Sequence, residues 1–109
     1  MKVEILHIDD CPNTAEAGDR LRSVLDSEGY TGADIAFVLI RSADDAAGVL
    51  FAGSPTILVD GKDLFPSART QELACRIYST PTGLAGIPTV DQLKEALTSR
   101  NLHGVVSNG

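Results

Sequence analysis

Lys2 to Ile8 reads KVEILHI, an apolar run that ends abruptly at two acids, a cysteine and a proline. Val3, Ile5, Leu6 and Ile8 are apolar, with only Glu4 and His7 interrupting, which suits a strand covered on both faces. Asp9-Asp10-Cys11-Pro12 stops that strand. Pro12 fits the first position of a helix, where its missing N–H costs nothing and its φ is already helical. Ala17, Leu21, Val24 and Leu25 then recur on one helical face as far as Glu28, and Gly29 is the stop. Ala33 to Ile40, ADIAFVLI, is a second strand. A strand, a crossing helix and a second strand imply a parallel pair with a right-handed crossover.

The rest of the chain extends this unit. Ser42 caps a short helix, with Asp45 at its third position, and Val49, Leu50 and Phe51 supply its apolar side up to Gly53-Ser54-Pro55. Thr56 to Val59 is a third strand. Asp60-Gly61 is a strong hairpin signal, returning the chain through Asp63-Leu64-Phe65. From Pro66 to Gly86 two readings fit: Leu73, Ala74 and Ile77 allow a helical turn, and Cys75 to Tyr78 allows a strand. Thr89 with Gln92 forms a capping box for a last helix, whose face is Val90, Leu93, Ala96 and Leu97. The expectation is an α/β fold over residues 1–100, a mixed four-stranded sheet with helices on both faces, and beyond it a flexible tail over 101–109 that contains His103.

Composition restricts function. The 109 residues are 43% hydrophobic and 22% charged, the balance of a globular domain. No apolar run approaches the roughly 20 residues of a membrane span. The apolar stretch at the amino terminus is short and carries an acid, unlike a signal peptide, so the expected compartment is the cytoplasm. A net charge of −6 repels phosphate backbones and argues against nucleic acid as a partner. Two cysteines, Cys11 and Cys75, are too few for a disulfide scaffold or a four-cysteine zinc site.

Those cysteines carry the chemistry. With Pro12 as the first helical residue, Cys11 occupies the N-cap, where unpaired N–H groups and the helix dipole favour its thiolate. Asp9 and Asp10 oppose that shift through their charge. Thr14, one turn on, either donates a hydrogen bond to the thiolate or satisfies the helix end. His7 is read as a core group near Cys11. Cys75 can reach Cys11 if Asp63 to Phe65 is the fourth strand, and begins near the opposite edge if Cys75 to Tyr78 is; the plainer reading is a packed cysteine. Cys11, Cys75 and a histidine form a metal site only if the fold gathers them.

The element order, with Cys11-Pro12 after the first strand and Ser54-Pro55-Thr56 before the third, resembles the thioredoxin fold over roughly residues 2–100. The strings GSPTILVDGKDLF, LACRIYSTPTGLAGIPTV and DQLKEAL are similar to small bacterial thioredoxin-like proteins, some filed as alkylmercury lyase homologues. This resemblance implies a reactive Cys11 and a cis-proline at Pro55. It also implies a groove in which Pro12, Ser54, Pro55 and Thr56 contact substrate, with Ser54 offering its backbone to an extended peptide or a glutathione-like ligand. Cys11-Pro12-Asn13-Thr14 aligns with the family's C-x-x-C motif, with Thr14 in place of the second cysteine. That is a monothiol pattern, with Cys11, Thr14 and Cys75 as the catalytic set. The implied activity is thiol–disulfide exchange with a small thiol or a protein disulfide, without a cofactor. An external thiol is the expected resolving group, because Cys75 can lie on the far edge. The rival readings are a thiol-based site for a soft metal such as mercury, and an interaction module that kept the fold without the chemistry.

Overall fold

A computed structural model describes residues 1–108 of the chain, with side chains through Ser99. The elements run β1 (Val3–His7), α1 (Thr14–Ser27), β2 (Ile35–Leu39), α2 (Ala43–Ala47), β3 (Thr56–Val59), β4 (Lys62–Asp63), β5 (Tyr78–Thr80), β6 (Gly83–Ala85) and α3 (Val90–Asn108). The expected tail over 101–109, with His103, lies outside the residues whose side chains are described.

Strand β1 is central. It runs parallel to β2, from Val3 opposite Ile35 to His7 opposite Leu39, and antiparallel to β3, from Val3 opposite Val59 to Leu6 opposite Thr56. Strand β4 pairs antiparallel with β3, giving a mixed sheet in the order β2-β1-β3-β4. The Asp60-Gly61 turn has φ of 52° and 80° at its two residues, the twist that a two-residue hairpin needs. It pairs Val59 directly with Lys62, so β4 starts one residue earlier than expected. The strand also ends early, because the Asp63 carboxylate accepts the Phe65 N–H at 2.8 Å and turns the chain.

The period of two along the strands sorts the core into two clusters. Val3, Ile5, Ile57 and Val59 face α1 and α3, where Leu21, Val24, Leu25, Leu93 and Leu97 meet them. Leu6 and Leu58 point the other way, onto Ile40, Ala46 and Phe51 around α2. Helices therefore cover both faces, as the sequence implied. Each of these aliphatic side chains contributes roughly 1.5–3 kcal/mol by leaving water.

Helix ends show where local signals hold. Gly29 takes φ of 90°, its N–H reaches the Asp26 carbonyl and the Tyr30 N–H reaches Leu25 at 2.7 Å, so α1 closes in a Schellman motif where expected. Its start differs from expectation. Asp10 adopts φ of 57°, and the Thr14 N–H turns back to the Cys11 carbonyl at 3.4 Å. Pro12 and Asn13 therefore form a turn, Asn13 is the N-cap, and the helix begins at Thr14 rather than at Pro12. In α2, the Ser42 hydroxyl caps the Asp45 N–H at 3.1 Å, but the helix stops at Ala47, so Val49 to Phe51 come after it rather than line it. At α3 the capping box forms in both directions between Thr89 and Gln92.

The segment that fitted both readings is neither a helix nor a fourth strand of the main sheet. It crosses the sheet end in irregular backbone, makes one parallel bridge between Cys75 and Ser54, and closes as the separate β5–β6 hairpin. Arg76 anchors it. Its guanidinium is buried, pairs with Asp63 at 2.9 Å, donates to the Phe65 carbonyl and lies 4.5 Å from the Tyr78 ring centre. Burial pushes the Asp63 carboxyl above its ordinary value even with Arg76 and the Phe65 N–H opposing. The Tyr78 hydroxyl in turn donates to the Pro55 carbonyl.

Candidate active site

The turn at Asp9-Asp10 delivers Cys11 to the carboxyl end of β1, at the point where α1 begins. Cys11 is partly exposed, whereas Pro12 is fully on the surface. Burial alone would push the Cys11 thiol up. The Ser54 hydroxyl, the Thr14 hydroxyl and the backbone N–H groups of Asn13 and Thr14 outweigh it, and the thiol lies below its ordinary value. Cys11 sits two residues ahead of the N-cap instead of on it, yet the backbone of Asn13 and Thr14 still favours its thiolate. Asp9 and Asp10, expected to oppose the thiolate, are exposed to water, and the thiol lies below its ordinary value despite their charge.

Thr14 belongs to the sulfur rather than to the helix end. Its Oγ1 is buried and has no hydrogen-bond partner, and its position beside Cys11 favours the anion. A neutral thiol is a weak acceptor and leaves that donor poorly satisfied, whereas a thiolate satisfies it. Asn13, expected to be merely exposed, is wedged against Gly86, where any Cβ would overlap the Asn13 amide group. No local sequence signal joins residues so far apart.

The Ser54–Pro55 peptide bond is cis, as the resemblance implied. The groove expected around it is filled. Ser54 donates its N–H to the Ala74 carbonyl at 2.9 Å, and its carbonyl accepts the Arg76 N–H at 2.8 Å. Its backbone is thus closed to a peptide or a glutathione-like ligand, because the chain itself lies there. Ser54 and Thr56 are fully buried, and Pro55 is buried between them. Thr56, expected to contact substrate, spends its hydroxyl on the Gly53 carbonyl and the Ala52 N–H. The Ser54 hydroxyl accepts the Ile8 N–H at 3.1 Å and turns toward Cys11. Gly53 makes the closure feasible: with φ of 105°, it would place a Cβ 2.8 Å from the Arg76 Cβ.

This packing decides which of the two positions Cys75 takes. It is exposed and its backbone bridges Ser54, the residue before Pro55, instead of lying at the far edge of the sheet. The sequence signal that could have found it is Gly53, a glycine beside the S-P pair that marks a close backbone approach. His7 also reaches the site. Its half-buried ring lines a hollow with Cys11, its Nδ1–H donates to the Ile8 carbonyl at 3.1 Å, and it meets Phe37 edge-on at 6.2 Å. Among the described residues no three of His, Cys, Asp or Glu gather as a metal site, and no helix is long and apolar enough to cross a membrane. Comparison of the chain with protein-family models, curated proteins and solved structures finds no match.

Proposed function

We propose that the chain is a thioredoxin-like protein whose Cys11 performs thiol–disulfide exchange. The strand order, the placement of Cys11 after β1 and the Ser54-Pro55 pair before β3 support the family reading. The observation that carries the chemistry is the position of Cys11 at the start of α1 against an open hollow, with Ser54, Thr14 and the nearby backbone holding its thiol below the ordinary value. Such neighbours hold a thiolate, the form that attacks disulfides.

The exchange runs in two steps. The Cys11 thiolate attacks one sulfur of a disulfide, the S–S bond breaks, and the other half leaves as a thiolate. The Cys75 thiolate then attacks the Cys11 sulfur and releases the second half, leaving Cys11 and Cys75 joined. The substrate disulfide is reduced by two electrons and the protein dithiol is oxidised by two, and a reducing thiol resets it. The position of Cys75 against Ser54 favours this internal route over the external thiol, since an intramolecular thiol has a very high effective concentration.

Mild oxidation, then digestion without reductant, tests the reading. A dominant Cys11–Cys75 peptide pair is expected, and Cys11→Ser abolishes it along with the fast alkylation of the native protein. A thiol adduct on Cys11 with Cys75 free would return resolution to an external thiol. Iodoacetamide labelling Cys75 before Cys11 would remove Cys11 as nucleophile.

A further inference from the structure

The side of Cys11 away from Ser54 is open. There a hollow of about 420 Å³ lies against the sulfur, between the end of β1, the start of α1 and the edge strand β2. Phe37 forms its wall and is 52% exposed, unusual for a phenylalanine on a face that otherwise packs against α1. The ring keeps its place because Gly18 has no side chain: a Cβ there would come within 2.7 Å of the ring's Cζ. The His7 ring stands edge-on to Phe37, so two aromatic rings set steeply to each other line the hollow, and the Phe37 face is its flat apolar surface. Asp9 and Asp10 stand on the rim, and among the described residues no Lys or Arg lines the hollow.

We propose that this hollow is the substrate site, and that it takes one half of a small disulfide bearing a flat apolar group without negative charge. The inference rests on Cys11 being the nucleophile. Ala74 to Arg76 close the Ser54 side, so a disulfide approaches the sulfur from the Phe37 side. An aromatic or aliphatic substituent buries apolar area on Phe37, while Asp9 and Asp10 repel carboxylates such as those of a glutathione-type disulfide. The Cys11 thiolate attacks the sulfur of the half lying in the hollow, and the outer half departs into water as a thiolate.

The test uses the full chain carrying Cys75→Ser, so that Cys11 alone reacts. Second-order rates are measured with 4,4′-dithiodipyridine, which is neutral, and with 5,5′-dithiobis(2-nitrobenzoate), which carries two carboxylates. Each rate is divided by that of a cysteine peptide at the same pH, and iodoacetamide reports the intrinsic reactivity of the thiolate. The normalised ratio should favour the neutral reagent by about five- to tenfold at low salt, the size of one or two exposed charge contacts, and should shrink as salt is added. Phe37→Leu should slow the neutral disulfide and leave iodoacetamide unchanged. Asp9→Asn with Asp10→Asn should speed the anionic reagent; asparagine tolerates the positive φ at position 10. A normalised ratio near one, or a Phe37→Leu effect equal for the disulfide and iodoacetamide, overturns the hollow and leaves Cys11 exchange standing. Alkylation no faster than that of the peptide overturns both.

Discussion

At the start of α3 the Thr89 hydroxyl accepts the Gln92 N–H at 3.1 Å, and the Gln92 side chain accepts the Thr89 N–H at 2.9 Å. At the start of α1 the Asn13 side chain makes no cap, and the Thr14 hydroxyl has no hydrogen-bond partner. Both ends present the same orphan donors. The first consumes them locally and contributes stability. The second leaves them for the Cys11 sulfur, where they lower a thiol pKa. One chain thus uses the same physics for structure at one helix end and for reactivity at another, and substitutions at the two ends should separate these uses.

The largest effect is expected where both uses meet. Ser54 is fully buried, and its hydroxyl serves the Ile8 N–H and Cys11 together. Ser54→Ala leaves that N–H unsatisfied, which should cost about 1–3 kcal/mol. It should also move the midpoint of Cys11 alkylation to higher pH. Denaturant unfolding and an iodoacetamide pH profile on the same protein check both. Loss of stability with an unmoved profile would mean that Ser54 only holds the backbone.

How far the sequence reaches obeys the same division. Ends governed by local chemistry are legible: Gly29 as a left-handed stop, Asp60-Gly61 as a two-residue hairpin, Thr89 with Gln92 as a box. The sheet and its two covered faces come from the apolar runs. The start of α1 lies two residues beyond the proline that signals it, because the positive φ at Asp10 redirects the chain before Pro12, and aspartate, though enriched there, takes that conformation in only a minority of cases. Cys11 and the cis bond at Pro55 are legible through motif and order. The closure over Ser54 is not, since it depends on Arg76 finding Asp63, and a buried ion pair leaves no periodic trace. The hairpin of Tyr78–Thr80 with Gly83–Ala85 is three residues long on each side, too short for alternation to stand out.

A smaller effect belongs to the satisfied end. Thr89→Ala removes the oxygen that caps Gln92 and should cost about 1 kcal/mol. Because this end lies away from the sulfur, the pH profile of Cys11 should stay where it is. The expected result is a lower unfolding midpoint with an unchanged m-value and unchanged alkylation. A shift in the profile would mean that the two helix ends are coupled through the packing of α1 against α3.

The smallest effect on stability should come from Thr14→Val, which keeps the β-branched shape and removes the hydroxyl. In the thiol state that hydroxyl is a buried donor without a hydrogen-bond partner, so its loss should be nearly neutral or slightly stabilising at low pH. At higher pH the sign reverses. The folded-state pKa of Cys11 lies below its ordinary value, so ionisation contributes stability that is fully present above the unfolded thiol pKa and is lost as pH falls through the folded one. Removing Thr14's share should raise the folded pKa, narrow that window and diminish the contribution. Wild type and Thr14→Val should therefore unfold alike in mild acid and diverge as the pH rises through the Cys11 transition, with the variant the less stable. Cys11→Ser in both backgrounds should erase the divergence. A Thr14→Val penalty that is constant across pH would instead make the hydroxyl a packing group, and the contrast between the two helix ends would fail.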